Sequence, residues 1–198
     1  MTLDRLRPLA DRGMGPFVGL AVRLGLSPDA VSVLAFLLAV AAAVAFYVGG
    51  PWYLLGAVLV FANGWLDLLD GRLARELEAA SPAGDVLDHV LDRYADVLLI
   101  AGLAAGLGRY GLGFAAVTGV LLTSYLGTQA EAVGLHRVYG GLLGRADRLA
   151  LIGVASVLEP FLGAVWLLTP VGWLLVVFAV VGHFTAIQRF VLTRRALR

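Results

Sequence analysis

Four aspartates stand at the edges of two apolar runs: Asp67-Leu-Leu-Asp70-Gly71-Arg-Leu-Ala74-Arg75, then eight residues, then Gly84-Asp-Val-Leu-Asp88-His-Val-Leu-Asp92. A carboxylate at the depth of a bilayer is costly and is rarely placed there without a partner or a task. Helical periodicity puts Asn63, Asp67, Asp70, Gly71 and Ala74 along one stripe and Gly84, Asp88 and Asp92 along another, flanked by Asp85 and Asp96. The short connection between the runs lets the two stripes face each other. Four carboxylates gathered in a poorly solvated place repel one another, and a divalent cation relieves that repulsion. Oxygen-only donors suit Mg²⁺ or Mn²⁺, and two such ions clamp a pyrophosphate. The pattern therefore predicts Asp67, Asp70, Asp88 and Asp92 as metal ligands for an anionic substrate. Gly71, Ala74 and Gly84 lack bulk where a nucleotide would approach the backbone, and Arg75 can pair with a phosphate. A merely solvated acidic loop explains Asp85, Glu76 and Glu78. It does not explain Asp88 and Asp92, because apolar residues surround them at helical spacing and Val97-Leu-Leu-Ile continues the run.

The remaining sequence says what holds that stripe. The chain is 60% hydrophobic, far above a soluble domain. Six apolar runs, at 30–49, 52–70, 86–107, 111–131, 149–168 and 171–190, come near the length that crosses a bilayer. The first residues carry Arg5, Arg7, Arg12 and Arg23 without a long apolar core, so they do not read as a cleavable signal peptide. Residues 3–25 mix those arginines with Leu3, Leu6, Leu9, Phe17, Val18, Leu20 and Val22. That is the composition of an amphipathic helix lying on a membrane surface, interrupted near Gly13-Met-Gly-Pro16. The expected fold is an all-α integral membrane domain spanning 1–198. Residues 1–26 form a juxtamembrane amphipathic helix and 27–198 a core of six transmembrane helices. Ser27-Pro28-Asp29 reads as an N-cap with proline in the first turn, and Gly49-Gly50-Pro51, Gly111-Leu-Gly113 and Thr169-Pro170 read as turns. Gly102 and Gly106 make a small-xxx-small pair suited to close helix packing or to a dimer face.

Charge placement sets the expected orientation. Arg5, Arg7, Arg12 and Arg23 precede the first run and Arg72 and Arg75 follow the second. Arg137, Arg145 and Arg148 lie between the fourth and fifth, and Arg189, Arg194, Arg195 and Arg198 close the chain. The alternate connections hold only Arg109. The positive-inside rule puts both termini and the aspartates on the cytoplasmic side of a cell membrane. A net charge of +1 offers no basic surface for nucleic acid. The absence of cysteine excludes disulfide and thiolate chemistry.

The spacing Asp67-x-x-Asp70-Gly71-x-x-Ala74-Arg75-x8-Gly84-x-x-x-Asp88-x-x-x-Asp92 resembles, without departure, the signature of the CDP-alcohol phosphotransferases. Leu26-Ser-Pro-Asp-Ala-Val-Ser resembles the segment that usually precedes that family's first span. The resemblance implies transfer of a phosphatidyl-type group from a CDP-linked lipid to an alcohol, with release of CMP. It implies metal on Asp67, Asp70 and Asp88, and Asp92 as the base for the acceptor hydroxyl that also touches metal. It further implies that Gly71, Ala74, Arg75 and Gly84 surround the cytidine and phosphates, that membrane lipids are partners, and that the protein is a homodimer. Ser124-Tyr125, Ala130-Glu131, Gly134-Leu135, Gly144-Arg145-Ala-Asp147-Arg148-Leu149 and Gln188-Arg189 resemble the phosphatidylinositol-phosphate and archaetidylinositol-phosphate synthases. Arg145, Arg148 and Arg189 would then bind an acceptor phosphate, with inositol phosphate ahead of glycerol phosphate or serine. Where that subgroup carries a lysine and an arginine after Ser-Tyr, this chain has Gly127 and Gln129. Asp96, one turn beyond Asp92, is expected to support the site, whereas His89, His136 and His183 are expected to play no part in it. The residues speak against two other classes. A membrane prenyltransferase would need a carboxylate at position 71, which is glycine. A scaffold or cation transporter would spread its polar groups through the bilayer midplane rather than gather them at one face.

Overall fold

The computed structural model describes residues 13–135 and 143–198. The described residues contain seven α-helices: α1 Gly15–Arg23, α2 Pro28–Val48, α3 Trp52–Glu76, α4 Pro82–Gly106, α5 Tyr110–Ala132, α6 Arg145–Leu158 and α7 Pro170–Ala196. Three long helices begin in the same way. Ser27, Ser81 and Thr169 sit in extended backbone and accept from the amides of Ala30, Gly84 and Gly172, with a proline next in sequence. The side chain satisfies an amide that the first turn leaves unpaired, and the proline fixes the turn without wasting a donor. The Ser27 cap is the one expected from sequence. Thr169-Pro170, expected as a turn, is also a cap.

α2, α3, α5 and α7 are long and apolar enough to cross a membrane. The other two expected spans differ in an instructive way. α4 is long but carries Asp85, Asp88, Asp92, Arg93 and Asp96 between its start and its middle turns. The run 149–168 is not one helix: α6 ends at Leu158 and is 14 residues, about 21 Å, against a hydrocarbon core of about 30 Å. Pro160, which has no amide hydrogen, stands just past the end. The chain then turns back through a tight bridge, with Val165 and Leu168 exchanging both backbone bonds. At the N-terminus, α1 covers the second part of the expected amphipathic helix. The residues before Gly13, with Arg5, Arg7 and Arg12, lie outside the described residues, as do His136 and Arg137.

α2 packs on both α3 and α4, α5 packs on α7, and α6 lies against α3 and α7. Without a hydrophobic driving force between helices in lipid, close backbone approach must come from small residues. The Gly102–Gly106 pair does this within one chain. A Cβ on Gly102 would come within 2.4 Å of the Ala43 carbonyl oxygen, and one on Gly106 within 2.2 Å of that of Phe46. This face of α4 is therefore filled by α2. The interior is closed by Phe46, Leu99, Ile100, Leu103, Ile152, Leu175 and Phe178. Large apolar residues remain exposed along the outward faces of the long helices, among them Val44, Val58, Phe114 and Val180, as expected of surfaces solvated by lipid. α1 folds back beneath the bundle, where Phe17 meets Trp65 edge-on at 5.2 Å and Met14, Val18 and Ala21 pack with Leu69 and Leu73.

Candidate metal and phosphate site

The last turns of α3, the first half of α4 and the start of α6 meet at one end of the bundle. The two stripes do face each other. One carboxylate oxygen each from Asp67, Asp70 and Asp88 lie within 4.8 Å of one another, close enough to share a single ion. Asp92 is one helical turn further along α4 and lines the same pocket, with Ser32, Ala35, Asn63, Leu91, Ala95 and Arg145. The donor set is oxygen only, from carboxylates that are buried or half-buried, so the residues present fit Mg²⁺ or Mn²⁺.

Asp70 is the deepest of the three and is oriented from outside the signature. Ser32, on the first turns of α2, donates to its Oδ2 at 2.7 Å. This ties the N-cap segment of α2 to the carboxylates and gives the Ser27–Ser32 stretch a role that spacing alone did not reveal. Gly84 occupies a tight position, since a Cβ there would come 3.2 Å from Asp29 Oδ1 and 3.3 Å from Ser81 Oγ. Gly71 faces more open space, with Arg75 Nη1 as its nearest neighbour at 3.8 Å, and Arg75 itself is exposed.

The three arginines singled out from sequence are not equivalent. Arg145 opens α6 and pairs with both Asp67 and Asp92, joining the carboxylates of α3 and α4 through one guanidinium. Arg148 lies one turn on and is buried, its Nη2 donating to Asp96 Oδ2 at 2.6 Å. Arg189 of α7 is also buried and donates to the Thr123 carbonyl at 2.6 Å. Its guanidinium passes so close to α5 that a Cβ on Gly127 would come 2.8 Å from Nη1. A side chain at position 127 would thus claim the space that Arg189 fills.

Asp96 supports the site from behind, between Arg148 and Arg93. Arg93 is a participant that sequence reasoning missed. It pairs with Asp92 at 3.5 Å and with Asp96 at 3.9 Å, and donates to Ser124 of α5. Its signal in the sequence was a cation inside an apolar run, between two aspartates. The described histidines stay out of the cluster: His89 Nδ1 lies 2.8 Å from the Asp85 carbonyl and His183 Nε2 3.3 Å from Thr118 Oγ1.

A multi-pass, all-helical membrane protein whose carboxylates converge from two helices at one end of the bundle, with small residues and arginines beside them, is built to handle a diphosphate. The sequence profile of the family described as CDP-alcohol phosphatidyltransferase matches residues 25–137, more than half of the chain, and the protein belongs to that family. It is accordingly a phosphotransferase, and the prenyltransferase, scaffold and transporter alternatives fall. Over 99% of its length it is 33% identical to the archaetidylinositol phosphate synthase of Methanothermobacter thermautotrophicus, of which it covers 96%. It also resembles crystal structures of the phosphatidylinositol phosphate synthase of Mycobacterium tuberculosis. The form with CDP-DAG bound matches with a TM-score of 0.77 at 28% identity, over 90% of this chain and 92% of that one. The complex with manganese and citrate matches with a TM-score of 0.78 at 28% identity, over 90% of this chain and 87% of that one.

Proposed function

We propose that the protein transfers a diacyl- or dialkyl-glycerol phosphate group from a CDP-linked lipid to a phosphorylated alcohol, inositol phosphate ahead of glycerol phosphate, releasing CMP. The observation that carries this reading is the position of Arg145. Its guanidinium is continuous with the carboxylate cluster, so an acceptor phosphate held on it brings the acceptor's hydroxyl to Asp92. The similarity to an archaetidylinositol phosphate synthase and a phosphatidylinositol phosphate synthase supports the same acceptor.

In this reading Asp67, Asp70, Asp88 and Asp92 hold one or two Mg²⁺ or Mn²⁺ ions. When bound, the ions neutralise the pyrophosphate and the departing CMP. Gly71, Ala74 and Gly84 admit the cytidine and phosphates against the backbone, and Arg75 pairs with a phosphate. Asp92 takes the proton from the acceptor hydroxyl as its oxygen attacks the lipid-linked phosphorus. The bond from that phosphorus to the CMP oxygen breaks, and CMP leaves with the electron pair. Arg93 holds Asp92 in place through Oδ2, the oxygen that Arg145 does not contact. Arg148, neutralised by Asp96, holds the start of α6 against α4, and Arg189 contributes positive charge from α7 on the same side of the bundle.

The chain crosses the membrane six times in this reading. α4 crosses with Asp92 and Asp96 paired to Arg145 and Arg148 of α6 and Arg93 bonded to Ser124 of α5, and α6 crosses with the apolar turn Phe161–Leu168 completing its path. The distribution of arginines favours a cytoplasmic active site and cytoplasmic termini. A homodimer, as the family resemblance implies, would use a face other than the Gly102–Gly106 stripe.

The test is an acceptor screen with purified protein, CDP-lipid and Mn²⁺, read as CMP release. Inositol phosphate is expected to give the highest kcat/KM. Arg145→Gln keeps donors for Asp67 and Asp92 but removes the charge that holds the acceptor phosphate, and is expected to raise the acceptor KM roughly ten- to a hundredfold. That corresponds to one lost charged hydrogen bond of about 1.5–3 kcal/mol. Faster turnover of serine or unphosphorylated inositol would overturn the acceptor assignment.

A further inference from the structure

Asn63 lies on the aspartate stripe of α3, one turn before Asp67, and is 1% exposed. Its Nδ2 donates to the Ala35 carbonyl of α2 at 2.8 Å. Because that partner is a carbonyl, the nitrogen must be the atom facing it, and the orientation of the amide is fixed. The other atom, Oδ1, is buried without a hydrogen-bond partner. Leaving a buried acceptor unmade is costly, and each such group in a well-packed interior calls for an explanation. Asn63 lines the pocket that Asp67, Asp70, Asp88 and Asp92 also line. A polar, walled recess of this kind is where proteins keep ordered water.

We propose that Asn63 Oδ1 forms the floor of the metal site, accepting a hydrogen bond from a water that completes the coordination of the divalent ion held by the aspartates. The inference rests on the metal-site reading above and adds to it a positioning residue that lies outside the aspartate signature. The chemistry is consistent with the ion: Mg²⁺ dehydrates reluctantly and keeps several waters. Those waters need acceptors, and an amide carbonyl supplies one without adding a fifth negative charge. The bond to Ala35 then has a purpose beyond packing, since it holds the carbonyl toward the ion and couples the site to α2, the helix that also supplies Ser32.

The experiment is Mn²⁺ binding to the purified full chain in lipid nanodiscs without substrate. Affinity is measured by isothermal titration, and ion-bound water by electron spin echo modulation in deuterated water. Two variants are compared with wild type. Asn63→Ala removes the amide, and Asn63→Leu also fills the volume a water would occupy. Each is expected to lower Mn²⁺ affinity about ten- to a hundredfold, the range for outer-shell partners of metal ligands. Each is also expected to reduce the number of exchangeable deuterons coupled to Mn²⁺. Unchanged affinity with an unchanged deuteron signal in a folded variant overturns the proposal while leaving the metal site standing. Failure of the wild-type chain to bind Mn²⁺ overturns the metal-site reading, and this inference with it.

Discussion

Breaking the ion pair between Asp96 and Arg148 should destabilise the protein far more than removing it altogether. The two groups meet at 2.6 Å, with side chains 2% and 5% exposed. Taking either charge out of water is expensive, and the pair recovers that cost only while both partners are present. Arg148→Met leaves Asp96 buried with Arg93, at 3.9 Å, as its remaining ion-pair partner and Arg145 further off. Asp96→Leu leaves Arg148 buried with no carboxylate at contact distance. Removal of one partner of a buried pair typically costs about 3–5 kcal/mol, whereas replacing both with apolar residues of similar volume is often neutral or stabilising. The more distant Arg93 compensates part of the loss for Arg148→Met, so Asp96→Leu should be the worse single variant. For a chain of this size about 1 kcal/mol shifts Tm by roughly 2–4 °C. Each single variant should therefore melt well below wild type and the double variant close to it, measured in one detergent by intrinsic fluorescence. Single variants within a degree or two of wild type, or a double variant whose loss equals the sum of the two, would refute the reasoning.

Asp92→Asn should reduce turnover about 10²- to 10⁴-fold, the usual contribution of a general base, while CDP-lipid binding by equilibrium titration changes little. Loss of donor affinity alone would leave Asp92 as a metal ligand only and make some other group the base. Gly102→Leu should prevent normal assembly of α2 on α4, because its Cβ would come within 2.4 Å of a backbone oxygen that cannot move aside. Its cost should exceed the about 1–3 kcal/mol of ordinary overpacking, and a Tm equal to that of wild type would show that α2 and α4 separate without penalty.

The carboxylate constellation was readable from sequence because helical spacing alone aligns i, i+3 and i+4 positions, and a charge in an apolar run has few innocent explanations. The caps were readable for the same local reason: Ser27-Pro28 carries its hydrogen bond and its backbone restriction within one turn. What was not readable depended on contacts between distant segments. Ser32 reaches Asp70 across 38 residues and Arg93 reaches Ser124 across 31. No periodicity announces either contact. The 149–168 run misled because hydropathy records apolar length and not continuity, so a proline after Glu159 leaves the average untouched while ending the helix. Arg145, Arg148 and Arg189 looked alike as three cations on one side. Burial separates them, giving one to the carboxylates, one to Asp96 and one to a backbone carbonyl.

In the proposed function, aspartates from two helices hold a divalent ion that makes CMP a leaving group. The most direct measurement of this is CMP release by the purified chain from a CDP-linked lipid and inositol phosphate. The assay is run with Mn²⁺ and with excess chelator, alongside Asp67→Asn and Asp88→Asn. Release that depends on Mn²⁺, stops with chelator and is lost in both variants while they remain folded is the predicted result. Full turnover in chelator, or by the folded Asp88→Asn variant, would contradict it.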